Sequence, residues 1–426
     1  MERNDPRYQA YVEILKEELI PAMGCTEPIA LAYAAAKARE VLGVLPESVQ
    51  LQVSGSIIKN VKSVIVPNTG HLKGMEAAAA AGIIAGSAEK ELEVISEVSE
   101  DKKAAIRDYL QTVPISIEHI EQGHVFDIVV TERSGNDYAK VRIADFHTDI
   151  CLIEKNGEVL YEKALQTETA QETSRADRSL LNMKDIWEFA ESADLADVAE
   201  LLERQIRYNN AIAEEGLLGD YGANIGRVLL STYGNDVSIR AKAKAAAGSD
   251  ARMNGCELPV IINSGSGNQG ITCSVPLIEY AKELHSGKEK LYRALIISNL
   301  VAIHEKTGIG TLSAYCGAVS AGAGAGAGIV YLHGDSYEAA IHTVVNALAI
   351  VSGIVCDGAK ASCAAKIASS VDAALLGYNM YKCNQEFKGG DGIVMKDIES
   401  TIRGIGRLGK DGMKETNEEI IRLMIG

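Results

Sequence analysis

Three of the eight cysteines in this 426-residue chain suggest joint chemistry. Cys316 precedes a Gly/Ala-rich stretch, and Cys356 and Cys363 lie close together further along the chain. No Cys-x-x-Cys pair is present, which disfavours a tetrahedral zinc site, and cysteines this sparse disfavour a disulfide framework. The three thiols therefore suggest an iron–sulfur site, with simple packing of free cysteines in a core as the alternative interpretation.

A fourth cysteine, Cys25, stands in the run MGCTEP directly before a predicted helix. Thr26 is the predicted N-cap of that helix, and Pro28 lies in its first turn. A helix N-terminus lowers the pKa of a thiol, so Cys25 could supply a thiolate near neutral pH. A further metal ligand or a purely structural residue fits the same position.

The run INSGSGNQGIT contains G-x-G-x-x-G at Gly265, Gly267 and Gly270, after the apolar run LPVIIN. This pattern alone is weak evidence for a dinucleotide site. A dinucleotide fold needs further βα units after the fingerprint, whereas the following segments have helical patterns. The sequence therefore favours a Gly-rich turn over a Rossmann site.

Polar groups on this turn suit a small anion. Backbone N–H groups, together with Ser264, Ser266, Gly267 and Asn268, could hold a carboxylate at the start of a helix that is predicted to begin after Pro276. A plain tight turn without a ligand is the alternative.

Other chemical motifs are absent from the sequence. There is no H-E-x-x-H, no P-loop and no G-x-S-x-G, so zinc hydrolysis, nucleotide hydrolysis and serine-esterase chemistry have no support. Among the eight histidines, His147 at a predicted strand start is the one candidate for a site, with an ordinary surface or core histidine as the alternative.

The elements that must position these residues change type along the chain. Helical spacing covers residues 8–20 and 26–43, and a polar segment at 171–182 is a predicted linker before a helical remainder. Between them the pattern predicts a hairpin at Asn156-Gly157, strands and two helices. The predicted strands are 49–54, 61–66, 115–120 and 125–130, and the predicted helices are 75–88 and 102–111. The predicted fold is α+β: an all-helical domain (1–43 and 171–426) with an inserted mixed α/β domain (44–170).

Composition narrows the setting. Forty-two basic and 58 acidic residues give a net charge of −16, which disfavours nucleic acid and anionic membrane surfaces as partners. The N-terminal residues contain no apolar signal-peptide core, so a reducing, cytoplasmic location is expected. The uncharged stretch 307–334 is dominated by Gly and Ala, so a buried helix is expected there rather than a membrane span.

Four motifs together resemble the L-cysteine desulfidase family, which is similar to the α subunit of iron–sulfur-dependent L-serine dehydratase. They are MGCTEP at 23–28, NSGSGNQGIT at 263–272, LSAYC at 312–316 and CDGAKASC at 356–363. The resemblance covers essentially the whole chain in the same order. It implies a 4Fe-4S enzyme without pyridoxal phosphate that converts L-cysteine and water to pyruvate, ammonia and hydrogen sulfide.

The resemblance also implies roles for residues. Cys316, Cys356 and Cys363 fit the order of the cluster ligands, although the gap between the last two departs from the dehydratase pattern and the dehydratase serine-binding segment is missing. Three thiolates leave one iron open as a Lewis acid that suits a sulfur leaving group. Cys25 is then the candidate base or a further ligand. The candidate substrate contacts are Asn60, Thr69, His147 and the turn at 264–268, where the two domains meet.

Alternative functions stay open at this stage. They are L-serine dehydration on the same scaffold, a non-catalytic iron–sulfur or thiol redox sensor, and a pyridoxal phosphate lyase. A homodimer is the expected assembly, because two-fold pairs are common among soluble enzymes.

Overall fold

The computed structural model describes residues 1–121, 123–164, 175–310 and 312–425. It has an α+β fold, as predicted, with a six-stranded sheet in the first half of the chain and helices in the second half. The predicted domain boundary at 170 and the first residues of the predicted linker lie outside the described residues. The domain boundaries therefore stay a prediction.

Sixteen α-helices occur within the described residues. They are α1 (Pro6–Glu18), α2 (Thr26–Leu42), α3 (Gly55–Val61), α4 (Gly74–Ala85), α5 (Glu100–Thr112), α6 (Met183–Ser192), α7 (Ala199–Leu218), α8 (Ile225–Tyr233), α9 (Val237–Met253), α10 (Gly267–Glu283), α11 (Lys288–Ile309), α12 (Gly317–His333), α13 (Tyr337–Val351), α14 (Ser362–Lys382), α15 (Ile398–Arg407) and α16 (Lys414–Ile425). Short 3-10 turns lie at Ala88–Glu93, Arg178–Leu180 and Leu195–Asp197, and a π-helical turn at Leu408–Gly412 precedes α16.

The described strands form one sheet and one small ribbon. They are β1 (Pro21–Met23), β2 (Ser48–Ser54), β3 (Ile115–Ile120), β4 (Asp127–Ser134), β5 (Asp137–Ala144), β6 (Ile150–Lys155), β7 (Glu158–Glu162) and β8 (Pro259–Ile261). The sheet order is β3-β2-β4-β5-β6-β7, in which β2 and β3 are parallel and the other pairs are antiparallel. Helix α2 packs on β4 and β5, and α4 packs on α2.

Two predicted elements are wrong. Residues 61–66 are not a strand, because the run GSIIKNV forms α3 and only an isolated bridge from Ile65 to Lys73 follows it. The helix expected after Pro276 begins at Gly267, and Pro276 lies inside it. The cap of α2 is also one residue earlier than predicted, because Cys25 rather than Thr26 is the N-cap.

A short ribbon joins the two halves of the chain. Strand β1 pairs antiparallel with β8, with Ala22 opposite Val260. Cys25 lies two residues after the end of β1, and the Gly-rich turn at 264–268 follows β8. The ribbon therefore places these two distant segments side by side.

Helix α12, the Gly/Ala helix, lies at the centre of the helical half and is buried, as predicted. It packs against α10, α11, α13 and α14. A Cβ at Gly322 would lie 2.8 Å from the Ser370 backbone, and one at Gly328 would lie 2.5 Å from Leu277, so bulkier residues would push the neighbouring helices away. None of the helices in the described ranges combines the length and apolar character needed to cross a membrane.

Candidate active site

Cys316 and Cys356 are positioned by two facing loop segments. Cys316 is the N-cap of α12, and its backbone N–H donates to Ile354 O at 3.2 Å. The N–H of Cys356 donates back to Ala314 O at 2.6 Å, next to a bridge between Tyr315 and Val355. These bonds align the two cysteine-bearing segments.

Cys363 completes this group of three thiols. It lies in the first turn of α14, half-buried like Cys316 and Cys356, and its thiol donates to Gly358 O at 3.6 Å. Burial raises the pKa of Cys316 to about 12, and the nearby Cys356 and Cys363 sulfurs raise it further. The Cys356 and Cys363 sulfurs therefore lie within electrostatic range of Cys316. Their role as cluster ligands stays a prediction.

The donor set fits an iron–sulfur cluster better than a single ion. Within the described ranges, no three His, Cys, Asp or Glu side chains converge as the ligands of one metal ion would. A cubane cluster distributes its thiolates over different irons, so its ligands need not meet at one point. Three free, half-buried thiols on neighbouring segments satisfy that requirement: Cys316 at the N-cap of α12, Cys356 in a loop and Cys363 in the first turn of α14.

Lysine side chains surround the three thiols. Lys59 Nζ lies 3.4 Å from Cys356 O and 2.6 Å from Asn417 Oδ1, and Lys366 Nζ lies 2.8 Å from Val355 O. Burial lowers the pKa of Lys306, which is close to Cys316 and Cys356, to about 8. Positive charge at this position would favour thiolates and an anionic group bound to them.

Cys25 lies beside this group and is a buried thiol. It packs with Val64, Met253 and Cys363, and its Sγ lies 3.1 Å from Glu27 Oε2. Burial, followed by the negative charge of Glu27, raises the pKa of Cys25 well above its ordinary value. The predicted lowering of this pKa by the helix N-terminus is therefore wrong, because loss of solvent outweighs the helix dipole.

Three polar side-chain groups lie within hydrogen-bond distance of the Glu27 carboxylate at the start of α2. Besides the Cys25 thiol, it accepts from Asn60 Nδ2 at 3.0 Å, and the Thr26 hydroxyl lies 3.1 Å from Oε2. The same hydroxyl lies 3.0 Å from Gly265 O, which connects α2 to the Gly-rich turn. Asn60 is thus in the site, with its amide bound to Glu27.

The Gly-rich turn wraps the start of α10. Ser264 and Gly265 have φ of +49° and +75°, a conformation that Gly adopts at low cost. Ser266 is the N-cap but makes no side-chain bond to the first turn. A Cβ at Gly267 would overlap the Arg252 guanidinium, whose Nη1 donates to Asn268 Oδ1 at 3.1 Å.

His147 reaches the same turn from the loop between β5 and β6. A Cβ on Gly265 would lie 3.2 Å from His147 Cε1, and the ring packs edge-to-face on Phe126 at 4.8 Å. Its Nε2 is buried and has no hydrogen-bond partner among the described residues. Burial lowers the pKa of His147, Arg252 lowers it further and Glu27 opposes this, so the ring favours its neutral form.

Thr69 is placed differently from the other predicted substrate contacts. It is fully buried in its own loop, where its hydroxyl donates to Val66 O at 2.7 Å and accepts from Leu72 N at 3.2 Å. The Ser264 hydroxyl donates to Asn263 Oδ1 at 2.9 Å. The fold therefore brings together Cys25, Asn60, His147 and the turn, while the Thr69 hydroxyl is occupied elsewhere.

The sequence analysis missed three charged residues of the site. Glu27 lies within the quoted MGCTEP motif, and Lys59 is a lone charge in the apolar run SIIKNV next to Asn60, so both had a usable signal. Arg252 lies in the last turn of the Ala-rich helix α9, and nothing in the sequence distinguishes it from a surface arginine. It enters the site because α9 ends beside the turn.

A family comparison matches the serine dehydratase alpha chain over residues 89–422, which includes Cys316, Cys356 and Cys363 but not Cys25. The chain belongs to this family. A UPF0597 protein of Desulfitobacterium hafniense is 63% identical over 425 residues, covering 100% of this chain and 98% of the relative. UPF0597 proteins of Lachnoclostridium phytofermentans and Treponema denticola are 52% and 47% identical, and each comparison covers at least 98% of both chains.

Membership of the serine dehydratase alpha chain family confirms the predicted relation to serine dehydratase. It makes a lyase the enzyme class of this scaffold and points to an iron–sulfur cofactor. The relatives extend the similarity over the N-terminal segment that holds Cys25 and Glu27. Their names state no substrate.

Proposed function

We propose that this protein is an L-cysteine desulfidase, a β-eliminating lyase that forms pyruvate, ammonia and hydrogen sulfide. The observation that carries the proposal is that two groups lie together: the thiols of Cys316, Cys356 and Cys363, and the Cys25–Glu27 pair. Cys363 packs against the small buried cluster that contains Cys25, which joins the two groups. A redox sensor would need only the thiols. A second, acid–base pair beside them favours catalysis.

Cys316, Cys356 and Cys363 would hold a 4Fe-4S cluster. When bound, the cluster would supply an iron without a protein ligand, which acts as a Lewis acid toward a departing sulfur. The surrounding lysines would offset the negative charge of the three thiolates. This arrangement needs no pyridoxal phosphate.

Cys25 and Glu27 would act together on the Cα proton of the substrate. Glu27 Oε2, 3.1 Å from the thiol, accepts the Cys25 proton, and the sulfur then takes the proton from Cα. Asn60 holds the other Glu27 oxygen at 3.0 Å and fixes the carboxylate in place. The pair thus supplies the base even though the isolated thiol is poorly acidic.

The turn and His147 would complete the substrate pocket. Ser266, Gly267 and Asn268 present the start of α10 to the site, and His147 lies over Gly265. The neutral, buried His147 could donate or accept one hydrogen bond to the substrate. We also propose a homodimer in a reducing compartment, where these thiols stay free.

Anaerobic reconstitution with iron and sulfide tests the function. The wild-type protein should become brown and release sulfide and pyruvate from L-cysteine in equal amounts. Cys356→Ala should lose both colour and activity, whereas Cys383→Ala, which removes an exposed cysteine, should keep both. A colourless wild type with full turnover would exclude the cluster, and brown protein without turnover would favour the sensor.

L-serine dehydration is the second candidate, because the matching family is named for serine dehydratase. The two reactions share the base and differ in the leaving group, thiol against hydroxyl. The ratio of kcat/KM for L-cysteine and L-serine, measured on the same reconstituted sample, decides between them. We expect the ratio to favour cysteine, since sulfur is the softer ligand for iron.

A further inference from the structure

Arg252 is a buried arginine without an acidic partner. It is 2% exposed, and in the described part of the chain its single side-chain hydrogen bond runs from Nη1 to Asn268 Oδ1. Its Nε is buried and has no hydrogen-bond partner among the residues that the structure describes. No carboxylate of those residues forms an ion pair with the guanidinium.

This arrangement requires an explanation because a guanidinium keeps its charge when buried. Arginine does not lose its proton in proteins, so it cannot become neutral as a lysine or carboxyl group can. A buried charge without a counterion is strongly destabilising. The fold therefore holds a positive charge that is suited to an anion from outside the chain.

The start of α10 provides a second feature suited to an anion at the same place. Gly267 is its first residue, and the absence of a side chain there is what lets the guanidinium approach the first turn. The N-cap Ser266 makes no side-chain bond to this turn. The first backbone N–H groups of this 17-residue helix and the Arg252 side chain therefore face a common position.

This position lies between the segment that starts at Cys316 and the His147 loop. On one side, Gln269 in the first turn packs against Gly317, where a Cβ would lie 2.6 Å from Gln269 Cδ, directly after Cys316. On the other side, His147 lies over Gly265, with its Nε2 unpartnered. The first turn of α10 therefore lies between the His147 ring and the residue that follows Cys316.

The charges nearby favour a zwitterion over a simple anion. The Arg252 cation and the Glu27 anion both lie within electrostatic range of Cys25 and of His147. A molecule with a carboxylate and an ammonium on one carbon can satisfy both charges at once. An inorganic dianion would gain from Arg252 but be repelled by Glu27.

We propose that Arg252 and the N-terminus of α10 bind the α-carboxylate of an L-amino acid. The planar guanidinium suits a carboxylate, and burial strengthens the pair. Which amino acid is bound rests on the proposed function, whereas the carboxylate site itself does not. Arg252 would be a substrate-binding residue that orients Cα toward Cys25.

Calorimetry with unreactive probes tests this site on the full-length protein, with and without reconstitution. L-Alanine has the carboxylate and ammonium but no leaving group, and L-alaninamide lacks the carboxylate charge. The wild type should bind L-alanine and bind L-alaninamide about 100-fold more weakly. Arg252→Gln should weaken L-alanine binding by about 100-fold. Arg252→Lys keeps the charge but loses the planar guanidinium that can donate two parallel hydrogen bonds, so it should weaken binding by about 10-fold.

Arg240→Gln is the matched control. Arg240 lies on the same helix α9 but pairs with Glu279 and Glu283 at the surface, so its removal should leave L-alanine binding unchanged. Circular dichroism checks that each variant is folded. If Arg252→Gln does not fold, the 10-fold loss in Arg252→Lys decides the question.

Each remaining outcome bears on one proposal. Equal L-alanine affinity in the wild type and a folded Arg252 variant would overturn the carboxylate site, even if L-cysteine is turned over. Binding of inorganic phosphate but not L-alanine would also overturn it in favour of an anion site. Arg252-dependent L-alanine binding without turnover of cysteine or serine would support the site and contradict the proposed function.

Discussion

Glu132 in the sheet and Arg252 beside the Gly-rich turn are both buried ionisable side chains without an ion-pair partner among the described residues, and they differ in whether the side chain can become neutral. In the sheet, Glu132 of β4 is fully buried below α2, and neither carboxyl oxygen has a partner in the described residues. Burial raises the pKa of Glu132 to about 9, with Arg39 acting in the opposite direction. At the junction, Arg252 is equally buried but keeps its charge.

The difference lies in the chemistry of the two side chains. Glu132 can take up a proton and become neutral near pH 7, so the sheet region needs nothing from outside the chain. Arg252 cannot lose its proton, so its positive charge is balanced only when an anion binds beside it. A buried arginine without a counterion therefore indicates a ligand, whereas a buried carboxyl group without a partner does not require one.

The largest expected effect concerns Glu27, a buried carboxylate of the same candidate site as Arg252. Glu27→Gln removes the group that accepts the Cys25 proton while keeping a similar shape, so kcat for L-cysteine should fall by about 1000-fold. Steady-state kinetics on reconstituted protein measures this. Glu40→Gln, at the exposed end of the same helix, is the control and should retain wild-type kcat. If Glu27→Gln keeps its activity, Glu27 does not accept the Cys25 proton, and the proposed pair is wrong.

A smaller effect is expected for the stability of the sheet region. The native state holds one more proton than the unfolded chain between the ordinary pKa of Glu132 and its folded value of about 9. The free energy of unfolding should therefore fall as pH rises, by about 1.4 kcal/mol per pH unit from this group, or about 3 kcal/mol from pH 5 to pH 7.

Glu132→Gln should lack this component of the pH dependence. Urea unfolding of the wild type and the variant at pH 5, 6 and 7 would measure the difference in slope. Parallel curves would show that Glu132 is ionised in the native protein, and the contrast with Arg252 would then be lost.

The smallest expected effect is the change in the free energy of unfolding when Arg252 is replaced. Arg252→Met replaces an unpaired buried charge with an apolar chain of similar length, so the ligand-free protein should gain about 1 kcal/mol in its free energy of unfolding. Urea unfolding with saturating L-alanine should stabilise the wild type but not the variant. A loss of several kcal/mol in the ligand-free variant would mean that Arg252 is already well paired within the fold.

Local patterns predicted much of the fold. The alternation in β2, β3 and β4 and the Asn156-Gly157 turn predicted these strands and the β6–β7 hairpin. Strand β5, which pairs with β4 and β6, was not predicted. The strand prediction for residues 61–66 was wrong because a run of β-branched residues has the pattern of a strand. The packing of α3 on its neighbours decides the conformation here instead. The helix at the Gly-rich turn failed because Pro276 was interpreted as a start signal although it lies within α10.

Candidate site residues could be proposed where a motif contained them. Cys316, Cys356 and Cys363 were proposed from spacing and resemblance, and His147 from its place at a predicted strand start, and their roles stay predictions. Arg252 could not be found, because its burial depends on where α9 ends relative to α10 and on the space left by Gly267. The direction of the Cys25 pKa also depended on tertiary burial rather than on its place in a helix.

The Gly/Ala helix has a consequence for the order in which the protein matures. Each glycine inside α12 costs about 1 kcal/mol of intrinsic helix stability relative to alanine, so this helix depends on α10, α11, α13 and α14 packing around it. Cys316 reaches its position only when that assembly is complete. We therefore expect the chain to fold first and to receive its inorganic cofactor afterwards, as the last step of biogenesis.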